Sequence, residues 1–298
     1  MNICFKCKKN SEVTQQKHGL HKQCFKEWFN LVDKEDDFQN LILRKEASND
    51  EEEKHFHNTS FFHGKFEKYS AELGNKNYIL KLSREYPELA RTEYLCNEIG
   101  KTLGLDIPKN HLICLFNERD SFISYNFMQD YKGSNLEHIW HFLTKNDHFT
   151  LETLLKIIEK QTGRLSEIRK FIKICLFDAL IGNHDRHGRN LGLISTANGY
   201  VLAPSYDNPS YFAMAEFLAA SHSPKCAIAT SFTQEPMMED YVKEFIRLGY
   251  GEEIRKFKAN LDYETLNSLI KSSFISEERK NALLNFIKRQ YQEMNNVL

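Results

Sequence analysis

Apolar positions along this chain follow two periods. Between residues 69 and 82 they fall in two short runs, 69–73 and 78–82, on either side of Gly74-Asn75. Runs of that length around a Gly-Asn pair predict a β-hairpin. After Pro87 the spacing turns helical: Leu95, Ile99 and Leu103 stand four residues apart and predict a helix over 89–103. Strand-like runs return at 111–116 and 121–127. Beyond residue 150 the helical period dominates. An amphipathic helix is expected over 151–161, and Leu165, Ile168, Phe171, Ile172, Cys175, Leu176, Ala179 and Leu180 mark a buried helix that Gly182 breaks. Two apolar strands, 191–194 and 200–202, flank Asn198-Gly199. Helices follow near 238–248, 263–272 and 277–294, the last with Ser276 as N-cap. A short helix is expected over 38–43, within an otherwise charged stretch.

Strands followed by helices give an α+β chain. The divisions expected are a small knuckle at 1–32, a charged linker at 33–55, a β-rich lobe at 56–130 and a helical lobe at 131–298. Composition (41% apolar, 27% charged) is that of a globular chain, and a net charge of −1 leaves no basic footprint for direct nucleic-acid binding. No apolar run is long enough to cross a bilayer, so no membrane association is expected. Cys4, Lys6, Cys7, Lys8 and Lys9 stand where a signal peptide would carry its apolar core. The cysteines number seven, an odd count, and Cys96, Cys114, Cys175 and Cys226 fall singly in apolar segments. That pattern fits reduced thiols and a cytoplasmic location.

The remaining cysteines form a pattern of their own. Cys4 and Cys7 are two residues apart, and His21 and Cys24 follow across a short loop. Two such pairs can close a tetrahedral zinc site, with His18 as a competing fourth ligand. Four protein ligands leave no open position, so the metal would be structural, supplying a fold to a segment with no core of its own.

The chemistry concentrates in the polar stretch after Gly182, which packs Asn183, His184, Asp185, Arg186, His187, Arg189 and Asn190 between a buried helix and a hairpin. Asp185 and Asn190 have the D-x-x-x-x-N spacing of a protein-kinase catalytic loop, where the aspartate meets the attacking hydroxyl and the amide oxygen holds a metal on the phosphates. Asp207 follows the next strand, where a second carboxylate would hold Mg²⁺. Upstream, Lys81 stands within an apolar strand and Glu93 in the following helix, the arrangement that orients ATP phosphates. Gly64 and Lys68 are candidates for a phosphate loop, and residues 128–131 for an adenine hinge. A hydrolytic metal centre built on His184 and His187, or a purely structural polar turn, are the alternatives for this loop.

These residues together resemble the HipA-type serine/threonine kinases, and most closely the short HipT branch of HipBST toxin–antitoxin modules. The blocks run from about Gly64 to the C-terminus: Ile79-Leu80-Lys81, Glu93-Tyr94-Leu95-Cys96, the loop Gly182 to Asn190 matching G-N-x-D-x-H-x-x-N, and Leu202 to Asp207 matching L-x-P-x-Y-D. The resemblance implies a bilobal protein-kinase-like fold and an ATP- and Mg²⁺-dependent serine/threonine kinase acting as a toxin. Asp185 would be the base, Asn190 and Asp207 the magnesium ligands, and Lys81 the residue that orients phosphates. It further implies a protein substrate, an aminoacyl-tRNA synthetase or other translation protein, with an antitoxin and a small HipS-like protein as partners. Phe61, His63 and Phe66 depart from the family's glycine loop, where Ser60 or Thr59 is then the candidate for autophosphorylation. Asp185-Arg186-His187 and Asn190 also resemble the G-D-R-H-x-x-N loop of phosphoinositide kinases. The alternatives are therefore a lipid or small-molecule kinase, or a kinase-fold binding module without activity.

Overall fold

The computed structural model describes residues 2–11, 16–33, 36–44, 67–82, 88–115, 119–213 and 224–298. Gly64, Ser60 and Thr59 lie outside the described residues. The chain divides into two compact units, one of residues 1–94 and 108–132, the other of residues 95–107 and 133–298.

The first unit begins with two short ladders, β1 (Asn2–Ile3) with β2 (Asn10–Ser11) and β3 (Gln16–Lys17) with β4 (Leu20–His21). Helix α1 (Lys22–Phe29) follows, burying Phe25 and Phe29 and ending at Asn30, whose left-handed backbone (φ 53°) turns the chain. A five-stranded antiparallel sheet follows: β5 (Gln39–Arg44), β6 (Glu67–Leu73), β7 (Lys76–Leu82), β8 (Asn110–Leu115) and β9 (Arg119–Tyr125), in the order β5-β6-β7-β9-β8. Gly74 and Asn75, at φ 57° and 60°, close the β6–β7 hairpin. Both being left-handed suits the right-handed twist of the strands they join. β7 is buried continuously from Tyr78 to Leu82, as a central strand covered on both faces would be.

The helix expected over 38–43 is instead the edge strand β5. Its partner is β6, with a register shift between Gln39 and Ile42 where Asn40 adopts φ 52°. A left-handed residue in an edge strand is the mark of a β-bulge, and it lets Leu41, Ile42 and Leu43 continue in extended form. The hinge segment 128–131 lies mostly in a 3-10 turn, Phe127–Asp130. It is fixed by Gln129, whose side chain accepts from the Asn77 amide (2.9 Å) and donates to the Asn77 carbonyl (2.8 Å).

Helix α2 (Leu89–Thr102) contributes to both units. The second unit then comprises β10 (Asn135–His138), α3 (Leu151–Thr162), α4 (Leu165–Ile181), β11 (Gly192–Thr196), β12 (Gly199–Leu202), α5 (Met238–Arg247), α6 (Gly251–Ala259), α7 (Tyr263–Lys271) and α8 (Glu277–Val297). α4 lies at its centre, against α3, α5, α6 and α8. Its apolar residues face all round, which is why it is buried from Phe171 to Ile181 apart from Lys173. β10, β11 and β12 form a three-stranded antiparallel sheet. Ser276 takes the N-cap position of α8 as expected, but its hydroxyl makes no capping bond to the helix amides and instead accepts from Arg279 Nη1 (3.3 Å). Among the described residues no helix is long and apolar enough to cross a membrane.

Candidate active site

In the second unit the site begins where α4 ends. Gly182 takes φ 69°, and a Cβ there would meet Pro224 Cγ at 3.0 Å. Only glycine suits that backbone and that space. The Asn183 amide then donates back to the Asp178 carbonyl (2.9 Å), a bond that reverses the chain out of the helix. Asn183 is itself buried. Its amide nitrogen donates to Asp178 Oδ1 (2.8 Å) and its oxygen accepts from the Asp185 amide (3.0 Å).

Arg186 is the residue that shapes the loop. It is only 1% exposed. Its Nε donates to Asp178 Oδ2 (2.7 Å) and its Nη2 to Asp178 Oδ1 (2.8 Å) and Asn208 Oδ1 (2.6 Å). Its Nη1 donates to the carbonyls of Asn190 (2.9 Å) and Tyr206 (2.6 Å). Every guanidinium N–H thus has an acceptor. Burial pulls the Arg186 pKa down, but the Asp178 carboxylate more than offsets this and raises it, so the charge is retained. Asn208 extends the lock: it accepts from Ser205 Oγ (2.8 Å) and donates to Asn97 Oδ1 (2.9 Å).

Sequence reasoning assigned no role to Arg186, Asp178 or Asn208. A signal was present in Asp178, a carboxylate within the apolar turn Phe177 to Ile181, since a buried charge in such a helix demands a partner.

Above this lock Asp185 is exposed, with 54% of its side chain open to solvent. Asn190 Nδ2 donates to the Asp185 carbonyl (2.9 Å) and reaches its Oδ2 (3.5 Å). Asp207 adopts φ 51°, a conformation that costs most side chains energy and that Asp tolerates better than most. Burial, and then the Asp207 charge, push the Tyr206 hydroxyl pKa up, so it stays protonated; it donates to the Arg189 carbonyl (3.2 Å).

The two histidines are spent on the loop. His184 stands edge-on to Tyr211 (5.0 Å, 81°), and His187 Nδ1 accepts from the Arg189 amide (3.2 Å). Among the described residues, Cys4, Cys7, His21 and Cys24 are the only group of three or more His, Cys, Asp or Glu side chains placed to share a metal, and neither His184 nor His187 belongs to it.

In the first unit, Lys81 Nζ donates to Glu93 Oε1 at 2.5 Å, with both residues buried and the ammonium 5.6 Å from the Phe122 ring centroid. Lys68 is also buried. It stands directly opposite Lys81 in the β6–β7 register, so the two ammoniums share one face of the sheet. Like charges placed opposite each other repel, and such a pair suits an anionic ligand.

The N-terminal cluster is likewise assembled. The ligand atoms of Cys4, Cys7, His21 and Cys24 all lie within 4.8 Å of one another. Burial raises the Cys4 pKa, but the backbone amides of Cys7, His21 and Lys6, with the Cys7 side chain, more than offset it and lower the value to about 7, whereas burial and the neighbouring thiols push Cys24 up to about 12. His18 is occupied elsewhere: its Nε2 pairs with Asp37 Oδ1 (2.6 Å) and its Nδ1 with the Cys114 carbonyl (3.1 Å).

The sheet of the first unit thus bears a buried lysine–glutamate pair, and the helical unit bears an Asp/Asn loop followed by an aspartate. The chain belongs to the family of HipA-like C-terminal domains, which it matches over residues 59–248. A Haemophilus influenzae protein provisionally named as a kinase is 31% identical over 151 residues, and that match spans 44% of each chain. Among solved structures, the Helicobacter pylori proinflammatory kinase CtkA superposes with a TM-score of 0.64 at 18% identity, covering 77% of this chain and 92% of that one. HipA of Shewanella oneidensis, solved with HipB and operator DNA, gives 0.53 at 14% identity, covering 89% of this chain and 64% of that one. At these identities the structural likeness is one of fold. Family and relatives together support a kinase-type function.

Proposed function

We propose that this chain is an ATP- and Mg²⁺-dependent serine/threonine protein kinase acting as the toxin of a HipBST-like toxin–antitoxin module. The observation that carries the reading is the loop at Asp185: its carboxylate faces solvent, its main-chain carbonyl accepts from Asn190, and the loop is tied to Asp178 by a fully satisfied buried arginine. Rigid support under an exposed base is what proton transfer requires. In this reading Asp185 accepts the proton of the attacking hydroxyl. Lys81, held by Glu93, orients phosphate oxygens, with Lys68 and Gly64 as further phosphate-binding residues. Asn190 and Asp207 are the proposed magnesium ligands, and for Asn190 the reading is supported by its nitrogen being spent on Asp185, which leaves its oxygen as the donor for a cation. Magnesium, when bound, neutralises charge on the phosphates.

The proposed substrate is a protein of translation such as an aminoacyl-tRNA synthetase, by family analogy. The proposed partners are an antitoxin and a small HipS-like protein. Support for an antitoxin comes from the Shewanella HipA, which was solved with HipB. The test is incubation with Mg²⁺, labelled ATP and cell lysate beside Asp185→Gln. Labelled protein is expected with the parent alone, and labelling with equal efficiency by both overturns the proposal. Labelled lipid in place of protein would move the assignment to a lipid kinase. ATP binding without transfer would mark a silent module.

A further inference from the structure

The N-terminal 33 residues carry more than the kinase reading uses. Among the described residues their ladders are two residues long, the one helix has eight, and the large buried apolar side chains are Phe5, Leu20, Phe25, Phe29 and Leu31. Segments of this size seldom hold a fold without a metal, a disulfide or a neighbour to pack on.

Here the ligand atoms are already in place. Around tetrahedral zinc, the usual Zn–S and Zn–N bond lengths put sulfur and nitrogen ligands about 3.6 Å apart. Cys7 Sγ and Cys24 Sγ lie 3.4 and 3.7 Å from His21 Nδ1. The turn that presents Cys4 and Cys7 is closed by backbone bonds, the Lys8 amide to the Cys4 carbonyl (2.9 Å) and the Cys4 amide to the Lys9 carbonyl (3.0 Å). All seven cysteines are free thiols, so no disulfide competes for these three.

The same segment grips the sheet that bears Lys81. The Cys114 amide on β8 donates to the His18 carbonyl (2.9 Å), while His18 Nδ1 meets the Cys114 carbonyl, so one residue of the knuckle pairs with the sheet edge through both backbone and ring. Trp28 stacks on His111 of β8 (4.7 Å, 29°), and Phe29 packs edge-on against His111 (4.8 Å) and Tyr78 of β7 (5.6 Å). His18 lies three residues before ligand His21, and Trp28 is one turn past ligand Cys24. The ligands therefore bracket the contacts.

We propose that Cys4, Cys7, His21 and Cys24 bind one structural Zn²⁺, and that this metal holds the knuckle as a buttress on β7 and β8. The three thiols bind as thiolates and give up their protons on loading. With four protein ligands the ion has no open position, so its role is to order the lobe and not to touch substrate.

The test uses the full chain exposed to excess zinc and desalted. One zinc per chain is expected by mass spectrometry of the metal. Cys24→Ser should lose it and Cys226→Ser, in the other unit, should keep it. Substoichiometric zinc in the parent, undiminished zinc in Cys24→Ser, or a disulfide among Cys4, Cys7 and Cys24 in the native protein overturns the site. Should Cys24→Ser fail to fold, chelation of the parent gives the same comparison. Metal removal should also speed hydrogen exchange at the Cys114 amide and shift Trp28 emission in a Trp140→Phe background. Unchanged exchange and emission overturn the buttress. None of these readouts involves phosphate transfer, so failure here and failure of the kinase proposal are distinguishable.

Discussion

Replacing Arg186 by Met tests the lock beneath the Asp185 loop. The substitution deletes five hydrogen bonds of 2.6–2.9 Å and leaves the Asp178 carboxylate, 3% exposed, with the Asn183 amide as its side-chain donor among the described residues. Breaking a buried pair by removing one partner costs about 3–5 kcal/mol, most of it from the charge left behind. For a unit of this size each kcal/mol lowers the melting temperature by about 2–4 °C, so a fall of roughly 6–20 °C is expected. The double variant Asp178→Leu with Arg186→Met removes both charges and should recover most of that stability. It should not recover activity, because the Asn190 and Tyr206 carbonyls would still lack the donor that joins the loop to the segment just before Asp207. Calorimetry and phosphate transfer on parent, single and double variants measure the two effects separately. An Arg186→Met protein that melts with the parent refutes the reasoning, as does a double variant no more stable than the single.

Two further outcomes follow from other buried charges. Lys81→Met should destabilise the first unit by about 3–5 kcal/mol by leaving Glu93 without that ammonium, and pairing it with Glu93→Met should restore stability without restoring ATP affinity, read by denaturant titration and calorimetric binding. Glu244 is fully buried; burial raises its pKa, but hydrogen bonds from Arg247 and Ser231 pull harder and hold it below the usual value. Its stabilisation is therefore complete above the unfolded value of about 4.3 and lost as pH falls through the lower folded value, so the penalty of Glu244→Gln in urea titrations should shrink from about pH 7 to about pH 3. A penalty independent of pH would refute that assignment.

What could be read in the sequence was short in range. The hairpin at Gly74-Asn75, the buried helix α4 and the strands around Asn198-Gly199 announce themselves within a few residues, and the structure has each of them. Cys4, Cys7, His21 and Cys24 also follow from spacing, and the structure brings them together. What could not be read depends on distant partners. β5 lies in a charged stretch and is a strand because β6 offers it an edge, with Asn40 absorbing the misfit in register. β10 has only four residues and takes its form from pairing with β11, more than fifty positions away. α6 buries just Ile254 and Phe257, too few to set a period. Arg186 was visible in the loop, but its acceptors at Asp178, Tyr206 and Asn208 come from separate segments, and no local pattern names them.

The bond from Asn208 to Asn97 has a consequence in time. It closes a loop of 111 residues, and Arg186 depends on its near end. During synthesis the Asp185 loop leaves the ribosome before Tyr206 and Asn208, so for that interval its arginine lacks two of its acceptors. The first unit's strands and Lys81 can be in place by then. On this ordering a nascent chain acquires its base in working geometry only after the segment through Asn208 has emerged and docked, which ties the proposed catalytic step to residues made well after the loop that carries it.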